Sequence, residues 1–107
     1  MQRICFVLRI RPDKIEEYRK GHAAVWPTML EALRKAGWHN YSLFLKPDGM
    51  LIGYFETDDW ATAWQKMQDA PVNNLWQQHM AHCFEDLQEM PPDRGIFPLP
   101  EIFHLEG

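Results

Sequence analysis

From residue 4 the chain alternates. Ile4, Phe6, Leu8 and Ile10 fall on one side and Cys5, Val7 and Arg9 on the other, a period of two that predicts a strand with one buried face. Arg11-Pro12-Asp13 breaks the pattern, and Ile15, Tyr18, Ala23, Met29, Leu30 and Leu33 continue at helical spacing up to Gly37. Pro27 divides that stretch, because a proline disfavours helical geometry in the residue before it. Trp26 therefore stands at a kink, or Pro27 opens a second helix at its first position. The run NYSLFLKPDGMLIGYFET predicts strands at about 39 to 46 and 50 to 57 around a Pro47-Asp48-Gly49 turn. Asp58-Asp59 caps a helix carrying Trp60, Ala63, Trp64 and Met67, and after Pro71 a second helix runs through LWQQHMAHCFEDL. EMPPDRGIFPLP is too proline-rich for regular structure. The closing EIFHL reads as a short last strand, placed by Pro98 and Pro100 at an edge or chain-exchange position.

This order of strand, helix, strand, strand, helix pair and strand is that of an α+β fold with a ferredoxin-like split βαβ sheet. Helices would cover one face of the sheet. Nothing in the remaining sequence covers the other, so two copies are expected to pair face to face as a dimeric α+β barrel. With 107 residues, one domain spanning 1–107 is expected, since a chain this short buries one modest core.

Composition narrows the functional classes. A net charge of −4, with no cluster of lysine and arginine, argues against a nucleic-acid partner, which a basic patch would hold; it disfavours an anionic membrane surface equally. No run reaches the roughly 18 apolar residues of a membrane span. The opening MQRICFVLRIRP is interrupted by Arg9 and Arg11 and has no small-residue cleavage site, unlike a signal peptide. Cys5 and Cys83, both in apolar surroundings, read as reduced thiols rather than a disulfide framework. A cytoplasmic protein is the expectation. Five tryptophans and six phenylalanines in so short a chain need a core, an interface or a ligand to cover them.

Tyr18 and His22, four residues apart, share a helical face. A histidine titrating near neutrality beside a tyrosine hydroxyl could move a proton to one substrate oxygen while holding another; equally, Tyr18 could pack in the core while His22 finishes a helix. Tyr41, in His39-Asn40-Tyr41, could face a pocket or be an ordinary strand aromatic. Trp76 with Gln77 combines a flat apolar ring with an amide, as a sugar site does, although Leu75, Met80, Phe84 and Leu87 also make Trp76 a plausible core anchor. His79 and His82 have a metal-compatible spacing, but no cysteine or carboxylate pattern completes a zinc site, so no metal is expected. The chain has no phosphate-binding glycine loop, GxSxG elbow or CxxC pair.

Taken in order, Tyr18-(three residues)-His22-(three)-Trp26-Pro27, His39-Asn40-Tyr41-Ser42, Trp76 with Met80, and Glu101-Ile102-Phe103-His104-Leu105 resemble the L-rhamnose mutarotase family over the whole chain. The resemblance implies a homodimer of ferredoxin-like domains that interconverts the α and β anomers of L-rhamnose without a cofactor. By position, it makes His22 the proton donor and Tyr18, Tyr41 and Trp76 sugar contacts. Gln77 stands where the family has the second of two tryptophans, so an amide replaces a ring there and the preferred sugar could differ. The mechanism expected from these residues is donation by protonated His22 to the ring oxygen, with the Tyr18 hydroxyl or a water handling the anomeric proton. Three rival readings fit the same fold class: a sugar-binding or sensory module without turnover, a cofactor-free monooxygenase or haem-degrading barrel, and a purely structural dimerisation domain.

Overall fold

The computed structural model describes residues 1–85 and 92–107. Strand β1 (Gln2–Arg9) leads through a 3-10 turn to helices α1 (Ile15–Ala23) and α2 (Pro27–Lys35). The hairpin of β2 (His39–Leu45) and β3 (Met50–Thr57) precedes α3 (Trp60–Gln68) and α4 (Pro71–Met80). The three strands form an antiparallel sheet in the order β1-β3-β2. Each boundary has a local cause. Pro27 is the first residue of α2, and Trp26 before it is extended, with φ −56° and ψ 132°. The Asp59 side chain accepts from the Thr62 N–H at 3.0 Å and so caps α3. Gly49, at φ 100°, supplies the left-handed residue that the three-residue hairpin loop requires.

The register sorts the side chains. Phe6, Gly53 and Leu43 are cross-strand neighbours, as are Leu8, Leu51 and Leu45; these rows lie on the face that packs against the helices. The row Val7, Ile52 and Phe44 lies on the opposite face, where Val7 and Phe44 are exposed. On the packed face, Gly53 makes room for the Phe6 ring, into which an added Cβ would run. Gly53→Ala should therefore cost about 1–3 kcal/mol by overpacking. Thermal unfolding followed by circular dichroism should fall by roughly 4–8 °C per kcal/mol; an unchanged midpoint would contradict this packing.

Three expectations about the C-terminal third are corrected. The last helix stops at Met80 and passes into a 3-10 turn, Ala81–Cys83, rather than running on through Phe84 and Glu85. There Phe84 bridges to Ile10, and Glu85 N–H donates to the Arg9 carbonyl at 3.0 Å, so backbone pairing with the end of β1 replaces helical bonding. The helical expectation for Leu87 lies outside the described residues, as does the irregular one for 89–91. Residues 101–105 form no regular strand, although the chain before them follows the free edge of β1, with Leu99 N–H donating to the Cys5 carbonyl at 2.7 Å and Arg3 paired with Glu101. Pro98 and Pro100 flank Leu99 and have no N–H to add to a ladder. The segment expected to be wholly irregular contains a 3-10 turn, Pro92–Gly95.

Candidate functional site

Between the packed face of the sheet and the helices lies a cavity of about 350 Å³. It gathers Tyr18 and His22 from α1, Tyr41 from β2, and Trp76 and Gln77 from α4, so all five residues singled out in the sequence meet at one place. Their routes to it differ. Tyr18 and His22 arrive by helical spacing, their rings 4.2 Å apart. Trp76 stands edge-on to His22, at 5.4 Å between centroids, and Trp26 packs edge-on against Trp76 at 5.0 Å. The Trp26-Pro27 junction thus backs the site rather than forming it.

Tyr41 reaches the cavity through a bulge. His39 pairs with Glu56 and Ser42 with Tyr54, so three steps along β2 match two along β3. Asn40 absorbs the extra residue in the left-handed region, at φ 50°, a conformation asparagine tolerates better than most residues. Its side chain donates to Glu56 at 2.9 Å. In a regular strand Tyr41 would share the face of His39; the bulge turns it to the cavity side.

The electrostatics define what each group can do. His22 Nδ1 lies 3.0 Å from the Tyr18 carbonyl, and since a carbonyl only accepts, Nδ1 carries the proton and Nε2 is left for a ligand. Burial pulls the imidazole below its usual value of 6.5, against the opposing effect of that hydrogen bond. The lowered value favours the neutral ring at pH 7. Burial pushes the Tyr18 and Tyr41 hydroxyls above the usual tyrosine range, so both stay protonated and able to donate.

Sequence reasoning missed Asn73 and Asp93, which also line the cavity. Asn73 is one of two adjacent asparagines early in α4, and Asp93 belongs to the proline-rich segment expected to lack regular structure. Of the histidines weighed for metal binding, His79 packs against Trp26 and Trp76, away from the group His82 joins. His82 Nε2 sits 2.8 Å from Glu17 and 3.7 Å from Cys83 Sγ, the three residues offering ligand atoms within 4.8 Å of one another. The Glu17–His82 hydrogen bond, at the surface, accounts for this cluster.

Comparison with known proteins identifies the lineage. The family profile for L-rhamnose mutarotase matches residues 3–105. The chain belongs to the L-rhamnose mutarotase family. It is 36% identical to the L-rhamnose mutarotases of Oceanobacillus iheyensis and Bacillus subtilis, over 99% of this chain and 100% of each relative. The family is one of anomerases, which are isomerases. Among solved structures, an L-rhamnose mutarotase from Formosa agariphila superposes with a TM-score of 0.78 at 20% identity, covering 99% of this chain and 100% of that one. A type-II polyketide cyclase from Streptomyces glaucescens shares the fold at a TM-score of 0.52 and 18% identity, over 99% of this chain and 87% of its own. Both place the chain in the expected α+β class. No helix among the described residues is long and apolar enough to cross a membrane.

Proposed function

We propose that the chain is a cofactor-free mutarotase that interconverts the α and β anomers of L-rhamnose, with His22 as its acid/base group. The observation that carries this reading is His22 itself, its Nδ1–H tied to the Tyr18 carbonyl and its ring on the wall of the cavity. Ring opening of a cyclic hemiacetal moves one proton from the anomeric hydroxyl to the ring oxygen while the bond from the anomeric carbon to the ring oxygen breaks and a carbonyl forms. The two oxygens are bonded to the same carbon. Neutral His22 Nε2 takes the first proton, and the imidazolium so formed donates it to the ring oxygen; rotation of the aldehyde and reclosure by the reverse steps gives the other anomer. His22 thus remains the proton donor of the opening step without being protonated at rest.

The Tyr18 and Tyr41 hydroxyls, held neutral by burial, donate to sugar oxygens, while Trp76 covers an apolar face and Gln77 supplies an amide contact. At about 350 Å³ the cavity is near the small end of the range for ligand sites, roughly 300–1,000 Å³, which suits a monosaccharide better than the haem or large flat aromatic of the rival barrels.

Two copies pair through the Val7, Ile52 and Phe44 face to form the barrel. Support comes from the exposure of Val7 and Phe44 on that face and from Ile102, Phe103 and Leu105, which are also exposed. The protein works in the cytoplasm, where its thiols remain reduced.

The pH dependence tests the protonation scheme. Because burial lowers the His22 value, the catalytically ready neutral form persists below pH 6.5 and is lost only as pH falls through the lowered value. Anomer exchange catalysed by the protein, corrected for the buffer rate, should be highest toward pH 8 and fall with acid along a limb centred below 6.5. A midpoint at or above 7, with activity rising toward acid, would mean that protonated His22 is the resting catalyst and would overturn the scheme.

A further inference from the structure

One wall of the cavity carries a carboxylate that the ring-opening chemistry does not use. Asp93 is 8% exposed and lines the same cavity as His22. Its Oδ2 accepts from Asn73 Nδ2 at 2.8 Å and from Gln68 Nε2 at 2.7 Å. Its backbone carbonyl accepts from Trp64 Nε1 at 3.2 Å, which fixes the turn that bears it. Asn73 is committed on every side, donating also to the Met67 carbonyl at 3.0 Å and accepting from Gln77 Nε2 at 3.1 Å. The carboxylate is therefore held in orientation by two side chains, Asn73 and Gln68, on a turn that Trp64 anchors. Yet Oδ1 is buried and has no hydrogen-bond partner among the described residues.

Such an oxygen is costly to leave bare, because a buried acceptor that loses water and gains nothing is penalised, more so when it is charged. A ligand that brings a donor removes the penalty. Among the described residues the cavity lining contains no lysine or arginine, so none of them meets it with a cation, and a single carboxylate is too few ligands for a metal ion. A hydroxyl fits: it donates one hydrogen bond and carries no charge to be desolvated.

We propose that Asp93 Oδ1 accepts a hydrogen bond from a non-anomeric ring hydroxyl of the bound sugar, making Asp93 a specificity-determining residue. This rests on the monosaccharide reading of the cavity. It also gives Gln77 a second role: through Asn73 it links the sugar contact on α4 to the carboxylate, so the amide that stands in place of a second tryptophan braces the acceptor as well as facing the cavity.

The test compares L-rhamnose with its 2-, 3- and 4-deoxy analogues, measuring affinity by tryptophan fluorescence for wild type and for Asp93→Asn. The asparagine can keep its carbonyl oxygen toward Asn73 and Gln68, which places an NH2 donor at the Oδ1 position. For wild type, one analogue should bind about tenfold to a hundredfold more weakly than L-rhamnose, the loss expected for a hydrogen bond to a charged acceptor. In Asp93→Asn that discrimination should fall below threefold, while the pH midpoint of anomer exchange stays where it was. The analogue series on wild type stands even if the variant does not fold. Wild type that binds L-rhamnose and distinguishes none of the analogues overturns the role of Asp93 while leaving the mutarotase reading in place, as does an Asp93→Asn protein that discriminates like wild type. Wild type that neither binds L-rhamnose nor exchanges its anomers overturns the mutarotase reading and this assignment with it.

Discussion

His22→Ala should lower kcat/KM for anomer exchange roughly 10²- to 10⁴-fold, the usual contribution of a positioned acid/base group. That is about 3–5 kcal/mol of transition-state stabilisation. The loss should fall on kcat more than on sugar affinity, because the Tyr18, Tyr41 and Trp76 contacts do not pass through the imidazole. Fold stability should change little, since His22 is only half-buried and its one hydrogen bond goes to a carbonyl of its own helix. Added imidazole should restore part of the rate by entering the space the side chain leaves. The acid limb expected of wild type should be absent from the residual activity. A folded His22→Ala protein with full activity would remove His22 from the chemistry and leave the tyrosine hydroxyls or a water to carry it.

The second large effect concerns assembly. Ile52 is the centre of the cross-strand row Val7–Ile52–Phe44 on the open face, so Ile52→Glu should convert the proposed dimer into a monomer. In a two-fold interface the substitution appears twice, and each buried carboxylate without a partner costs several kcal/mol. The dissociation constant should rise on the order of 10³-fold or more, enough to be seen by sedimentation equilibrium at micromolar concentration. The cavity lies on the other face of the sheet, so the monomer should still bind sugar. A variant that sediments as a dimer would rule out face-to-face pairing and leave the C-terminal segment, with Ile102, Phe103 and Leu105 exposed, as the contact to test next.

How much of this was readable beforehand depended on whether the information was local. Tyr18 and His22 could be paired from spacing alone, and the Pro27 boundary followed from backbone sterics. The hairpin was written in Pro47-Asp48-Gly49. The cavity side of Tyr41 was not legible in the same way, because it depends on a register slip whose only trace in sequence is an asparagine early in a strand. Asp93 was invisible for a different reason: its partners, Gln68 and Asn73, lie 25 and 20 residues away, and nothing in MPPDRG announces a contact at that range. The last strand failed where its own prolines could have warned of it. Pro98 and Pro100 leave Leu99 as the sole backbone donor between them, so the chain follows the edge of β1 without extending the sheet.

Magnetisation exchange between the α and β anomeric proton signals of L-rhamnose, with and without a small amount of the purified protein in dilute neutral buffer, tests the mutarotase assignment most directly. Exchange cross-peaks that appear only with the protein, and that disappear with His22→Ala, are the predicted result. Silence from a folded wild-type protein, under conditions where added acid or base produces the cross-peaks, would contradict it.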